Sequence, residues 1–188
     1  MTVRILAADS VAPRPWRNGG GRTRELLAWP EGEGWQLRIS LADIDADGPF
    51  SAFPGIERWF AVLEGGDVEL DFGGALQRRS AADAPLRFDG ADAPGCRLLG
   101  APTRDLNLML KGIDGVLRRA EPGQPWAEDW AWRGCFTTGP AACRLADGTT
   151  LELAERSLAW QLGAGPLTLS PADALRPAFW IGAAAGHR

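Results

Sequence analysis

The chain has 188 residues, 45% of them hydrophobic and 23% charged, with a formal net charge of -4; this is ordinary globular usage, and it argues against disorder, collagen-like repeats and a solenoid. Twenty basic residues stand scattered against 24 acidic ones, so there is no concentrated positive surface of the kind nucleic acid requires. The 24 glycines and 14 prolines are spread along the chain, which interrupts long helices and favours short strands joined by turns: an all-β fold is expected.

The apolar stretch in residues 1–9 is too short for a signal peptide, and the longest apolar segment, residues 178–185, falls far below a bilayer span. Both point to a cytoplasmic protein with no membrane partner. Residues 35–41 alternate strictly, with Trp35, Leu37, Ile39 and Leu41 on one face and Gln36, Arg38 and Ser40 on the other, as in a strand with a polar face. Two apolar runs, 59–63 and 68–72, flank Glu64-Gly65-Gly66-Asp67 and read as a β-hairpin. Residues 105–111 again show period two, with Leu106, Leu108 and Leu110 opposed by Asp105, Asn107, Met109 and Lys111. The Gly-, Pro- and charge-rich residues 112–128 read as a connection between a first barrel, 1–115, and a second, smaller one, 116–188. Strands are expected at 132–137, at 142–145 and 149–153 around the turn Ala146-Asp147-Gly148, and at 157–162, 166–170 and 178–181.

Few residues offer acid–base or metal chemistry. Cys96, Cys135 and Cys143 are odd in number and lack a Cys-x-x-Cys pair, tyrosine is absent, and the one histidine, His187, lies next to the C-terminus. Proton transfer is left to carboxylates, Lys111 and thiols. Two segments stand out instead. In residues 15–25, Gly19, Gly20 and Gly21 follow Trp16 and Asn18 and precede Thr23; this is either a flexible turn or a loop presenting backbone N–H groups to a pocket. In residues 48–58, Phe50, Ser51 and Phe53 sit among turn formers, either as core-edge packing or as a second wall of that pocket.

Residues 58–70 resemble the first motif of the cupin superfamily, in which a glutamate precedes a hairpin glycine by seven positions. Seven before Gly65 stands Arg58, and the places of the family's metal-binding histidines hold Pro54 and Ala52, or Phe53 and Ser51. The resemblance therefore implies a cupin without its metal, with no cofactor, whose guanidinium favours an anion. Pro-Trp-x-Asn-Gly-Gly-Gly-x-Thr at 15–23, Trp-x-Leu-Arg-Ile-Ser at 35–40, Gly-Pro-Phe-Ser-x-Phe-Pro-Gly at 48–55 and Asp-Leu-Asn-Leu-Met at 105–109 are more specific and resemble the HutD/Ves family. That resemblance implies a double cupin, two fused jelly-roll barrels, encoded in some bacteria beside histidine-degradation enzymes and without an established activity.

The leading expectation is a non-catalytic protein that senses or sequesters an anionic carboxylate metabolite. Its binding residues would be Trp16, Asn18, Gly19, Gly20, Gly21, Thr23, Arg38, Ser40, Phe50, Ser51, Arg58, Asn107 and Met109. Two alternatives stay open: a metal-independent isomerase or lyase working through Glu57, Glu64 or Asp105, and an interaction module built on tryptophans such as Trp126, Trp130 and Trp132. A homodimer is compatible with any of the three.

Overall fold

The computed structural model describes residues 2–185, so His187 lies outside the described residues. They are almost wholly antiparallel β structure, interrupted by two three-residue 3-10 turns and, among the described residues, no α-helix. The chain divides into two compact units: residues Val11–Gly112 form one, and the segment through Ser10 joins the chain from Ile113 onward to form the other.

The first strand, β1 (Arg4–Ala7), belongs to the latter unit. The Val11–Gly112 unit then contains β2 (Arg14–Pro15), β3 (Gly21–Trp29), β4 (Leu37–Ile44), β5 (Gly48–Pro49), β6 (Ile56–Gly65), β7 (Val68–Asp71), β8 (Leu76–Arg79), β9 (Leu86–Asp89), β10 (Gly95–Leu98) and β11 (Thr103–Lys111). They form a six-stranded sheet in the order β2-β3-β4-β11-β6-β9 and a four-stranded one in the order β5-β10-β7-β8. Ile44, Phe60, Val62, Val68, Leu70, Phe88 and Cys96 make a common core between strands of both sheets. Because strand side chains alternate, the other face of the large sheet carries Leu37, Ile39, Leu41, Leu106, Leu108 and Leu110, all fully buried.

The remaining strands are β12 (Gly115–Arg119), β13 (Pro125–Trp126), β14 (Trp132–Thr137), β15 (Ala141–Arg144), β16 (Thr150–Leu153), β17 (Ser157–Trp160), β18 (Leu167–Pro171) and β19 (Ala178–Ala183). With β1 they build a five-stranded sheet, β1-β17-β14-β19-β12, and a four-stranded one, β13-β18-β15-β16. The interior of this unit is filled: Trp126 and Trp180 stack at 5.0 Å between ring centroids, among Cys135, Cys143, Leu167 and Leu169. Arg133 is buried with them, lies 4.7 Å over the Trp126 ring, and donates to the carbonyls of Gly163 at 2.8 Å and Gly165 at 2.7 Å.

Four expectations need correction. The runs at 59–63 and 68–72 do not form a hairpin: β6 pairs with β11 and β9, whereas β7 pairs with β10 and β8, so the chain turns a corner from one sheet into the other. Gly65 makes the corner possible, with φ at +94° and the place of a Cβ only 2.3 Å from the Pro102 carbonyl oxygen. The stretch 112–128 is not a bare connection, since β12 is an edge strand paired with β19. The division at 115 assigned the N-terminal residues to the wrong unit, because β1 pairs with β17 over Arg4↔Trp160 to Ala7↔Ser157. Finally, Trp126 and Trp132 are buried and Trp130 packs on the core, so these tryptophans form no exposed patch.

Candidate functional site

Alternation along three adjacent strands brings a set of polar side chains to the inner face of the large sheet. Antiparallel register places Arg38, Met109 and Arg58 side by side, with Ser40, Asn107 and Phe60 in the next row and Ala42, Asp105 and Val62 in the row after it. All of these except the core residues Phe60 and Val62 border a cavity of about 720 Å³, within the range of small-molecule sites. Glu25 and Thr23 of β3 and the 14–18 and 49–53 segments complete its wall.

Of the thirteen residues expected from sequence, ten line this one cavity: Trp16, Asn18, Thr23, Arg38, Ser40, Phe50, Ser51, Arg58, Asn107 and Met109. Gly19, Gly20 and Gly21 do not, and the reason is visible in their hydrogen bonds. Gly19 N–H donates to the Trp16 carbonyl at 3.1 Å and Gly20 N–H to Asn18 Oδ1 at 3.0 Å, while the Gly21 carbonyl accepts from Trp16 N–H at 2.9 Å. The Gly19 and Gly20 donors that the loop was expected to offer a ligand are spent on closing the loop itself. Its contribution to the cavity is through side chains, with Trp16 Nε1–H held by Thr23 Oγ1 at 2.7 Å.

Arg58 is the cation at the base of the cavity, only 6% exposed. Its guanidinium carbon lies 5.1 Å from the Phe50 and Phe88 ring centroids and 5.5 Å from that of Phe53, so three aromatic faces stabilise a charge withdrawn from water. Nη2 donates to Asn107 Oδ1 at 3.1 Å and Nη1 to the Ser51 carbonyl at 3.4 Å, whereas Nε, also buried, has no partner. Burial pulls this guanidinium down to about 10, against the attraction of Asp105 and with the repulsion of Arg38; it is cationic at neutral pH. Arg38 is half-exposed and paired with Glu25, Nε to Oε2 at 2.7 Å.

The residue missed from the binding set is Asp105, weighed only as an acid for the enzyme alternative. It is 1% exposed and lines the cavity. Its Oδ1 accepts from Asn107 Nδ2 and its Oδ2 has no partner. Burial pushes its carboxyl up to about 8, against the Asn107 hydrogen bond and the Arg58 charge and with the repulsion of Asp43. The alternation that exposed Asn107 to the cavity puts Asp105 there too, so the signal was present in the sequence. The other two carboxylates offered as acids are elsewhere engaged: Glu57 bonds Trp59 and Arg87, and Glu64 bonds Arg104. No group of three or more His, Cys, Asp or Glu side chains is gathered among the described residues.

A second polar cluster lies on the other face of the same sheet, toward the end of the interior strand β4, where Asp43 accepts from Arg22 at 2.8 Å, Arg24 at 3.0 Å and Arg104 at 2.6 Å. Burial alone would raise this carboxyl, but the three guanidinium bonds hold it down at about 2.

Comparison with known proteins places the chain in a lineage. A family model described as HutD matches residues 8–160. An uncharacterized 21.2 kDa protein in the hutC 3′ region of Pseudomonas putida is 36% identical over 129 residues, 62% of this chain and 67% of that one. Protein Ves of Citrobacter koseri is 38% identical over 98 residues, and the chain spans about half the length of the Ves proteins it matches. Among solved structures, a conserved protein of unknown function from Pseudomonas aeruginosa PAO1 superposes with a TM-score of 0.86 at 27% identity, covering 98% of this chain and 100% of that one. HutD from Pseudomonas fluorescens SBW25 superposes with a TM-score of 0.83 over 99% and 100% of the two chains, which at 23% identity is a likeness of fold. Structural neighbours of lower identity are cupins, and the fold is a double cupin. With the family model spanning most of the chain, this protein belongs to the HutD family.

Proposed function

We propose that the protein is a cytoplasmic, non-catalytic small-molecule-binding cupin, and that its first barrel holds an anionic carboxylate metabolite connected with histidine utilisation. The observation that carries this reading is Arg58: a guanidinium withdrawn from water at the base of a cavity, with an unpartnered Nε–H and no carboxylate bonded to it directly. Buried cations demand a partner, and the strongest available to a planar guanidinium is a carboxylate. The connection with histidine utilisation is supported by the description of the Pseudomonas putida relative and by the HutD name of the matching family.

A metal does not fit the site. Arg58 and Arg38 face the cavity, Asp105 is held by Asn107, and Glu25 is paired with Arg38, which leaves no set of free anionic or imidazole ligands.

The test is isothermal titration and thermal shift with small carboxylates, formate and acetate first and the acids of histidine breakdown next, each beside its amide. Formate is the first choice because the Pseudomonas fluorescens HutD structure is described as a formate condition. Carboxylates are expected to raise the melting temperature in proportion to occupancy, and amides are not. A folded protein that binds none of these acids refutes the proposal.

A further inference from the structure

We infer that Asp105 is a ligand-reading group of this site: held as the neutral acid, it donates a hydrogen bond through Oδ2 to one oxygen of the bound carboxylate while Arg58 takes the other. The inference rests on the carboxylate reading of the cavity and adds the residue, the atom and the protonation state that define what the site accepts.

Asn107 fixes the assignment. Arg58 Nη2 can only donate, so the Asn107 atom facing it at 3.1 Å must be the carbonyl Oδ1. The Asn107 amide N–H₂ is then turned toward Asp105, whose Oδ1 accepts from it. Arg58 thus reaches Asp105 only through a neutral amide. As an anion, Asp105 would be a carboxylate 1% exposed, holding a single neutral hydrogen bond in a row with Ala42 and Val62, a state that burial strongly disfavours. As an acid it carries its proton on the oxygen that does not accept from Asn107. That oxygen, Oδ2, has no partner among the described residues.

The charged and titratable groups around it leave that proton in place. On its own strand stands Asn107; β6 contributes Arg58; β4 contributes Arg38 on the cavity side and Asp43 on the other; β3 contributes Glu25, paired with Arg38. From β10 in the opposite sheet comes Cys96, whose thiol burial, with the charges of Asp105 and Asp47, pushes up to about 12, so it stays neutral and offers Asp105 no cation. Arg14 and Arg17 complete the basic side of the cavity wall.

Arg58 Nε–H and Asp105 Oδ2, both on residues that line the cavity, are buried and without a partner, and the second is a donor in the acid form. A carboxylate has an acceptor oxygen for each. A primary amide sets its N–H₂ against a donor and is rejected, since the buried groups it fails to satisfy are left unpaired. When Asp105 ionises, the site loses a donor and gains a like charge.

The deciding experiment follows binding of formate and acetate by NMR titration from pH 6 to 10 in the wild-type protein and in Asp105→Asn and Asp105→Leu. In the wild type the dissociation constant should be flat at neutral pH and rise, toward tenfold per pH unit, above about 8. Asp105→Leu should bind at least about tenfold more weakly at pH 7, Asp105→Asn should regain part of that loss through its amide donor, and neither should show the alkaline fall. Independently of any ligand, infrared difference spectra of ¹³C-aspartate-labelled protein should show a protonated-carboxyl C=O band at pH 7 that disappears in Asp105→Asn. Carboxylate binding with a flat wild-type profile, an asparagine no better than leucine, or no protonated band overturns the inference and leaves the carboxylate reading standing. Failure of every carboxylate to bind the folded wild type overturns both.

Discussion

Arg58 and Asn107, 49 residues apart in sequence, are joined side chain to side chain at 3.1 Å on neighbouring antiparallel strands, and the same asparagine then passes to Asp105. One amide satisfies a buried cation and a buried acid together. Replacing it by the isosteric but apolar leucine leaves both groups short of a bond, and each buried orphan costs about 1–3 kcal/mol. Urea denaturation of Asn107→Leu at pH 7 should show a loss of at least about 2 kcal/mol. An unchanged midpoint would mean that water, not Asn107, serves the two groups.

Arg58 does two jobs that substitution can separate. Its side chain fills space among Phe50, Phe53 and Phe88, so truncation to alanine leaves a void as well as removing a charge. Arg58→Met keeps the volume and loses the charge; it should fold with near-normal stability yet bind carboxylates at least about tenfold more weakly, the worth of one charge-assisted bond. Arg58→Lys should restore part of the affinity because the charge returns without the planar fork. Calorimetry on the folded variants checks this, and a methionine variant of unaltered affinity would move the anion elsewhere.

Stability should pass through a maximum in mildly acidic solution. The folded Asp105 carboxyl is raised to about 8, so its contribution is full below the unfolded value near 4 and is lost as pH rises toward 8. The folded Asp43 carboxyl is lowered to about 2, so its contribution is full above 4 and is lost as pH falls toward 2. Thermal unfolding across pH 2–9 should show both flanks; Asp105→Asn should level the upper one and Asp43→Asn the lower. A wild-type curve that climbs steadily from pH 5 to 8 would contradict the buried-acid assignment.

The three consecutive glycines should respond differently to a methyl group. At Gly21 a Cβ would stand 2.3 Å from the Asp43 carbonyl oxygen and 3.0 Å from the Trp16 ring, whereas at Gly20 the nearest atom is 3.4 Å away. Gly21→Ala should cost about 1–3 kcal/mol through backbone displacement, and Gly20→Ala much less. Melting temperatures of the pair decide it; equal effects would show that close approach is not why glycine stands at 21.

Legibility in the sequence followed the range of the interaction. Arg38 and Ser40, or Asn107 and Met109, could be assigned to one face because alternation is a property of a single strand. The set gathered at the cavity then followed from a resemblance that put the strands in one barrel. What joins a strand to its partner is not local. Runs 59–63 and 68–72 have the pattern of a hairpin, and only Pro102, pressing on Gly65 from a distant part of the chain, reveals the corner. Residues 4–7 carry no sign of their partner in their own sequence, and only Ser157–Trp160, about 150 residues on, supplies their ladder. Asp105 was seen on the correct face, but its importance lies in what does not bond to it, and that depends on which way Asn107 turns.

The pairing of β1 with β17 also sets an order of events in the living cell. Residues 4–7 leave the ribosome ahead of the whole Val11–Gly112 unit, while their partners at 157–160 emerge after it. At elongation rates of about 5–20 residues per second, the Val11–Gly112 unit has its full set of strands several seconds before the five-stranded sheet can close. During that interval β1 must wait as an unpaired segment, exposed to any sheet edge within reach.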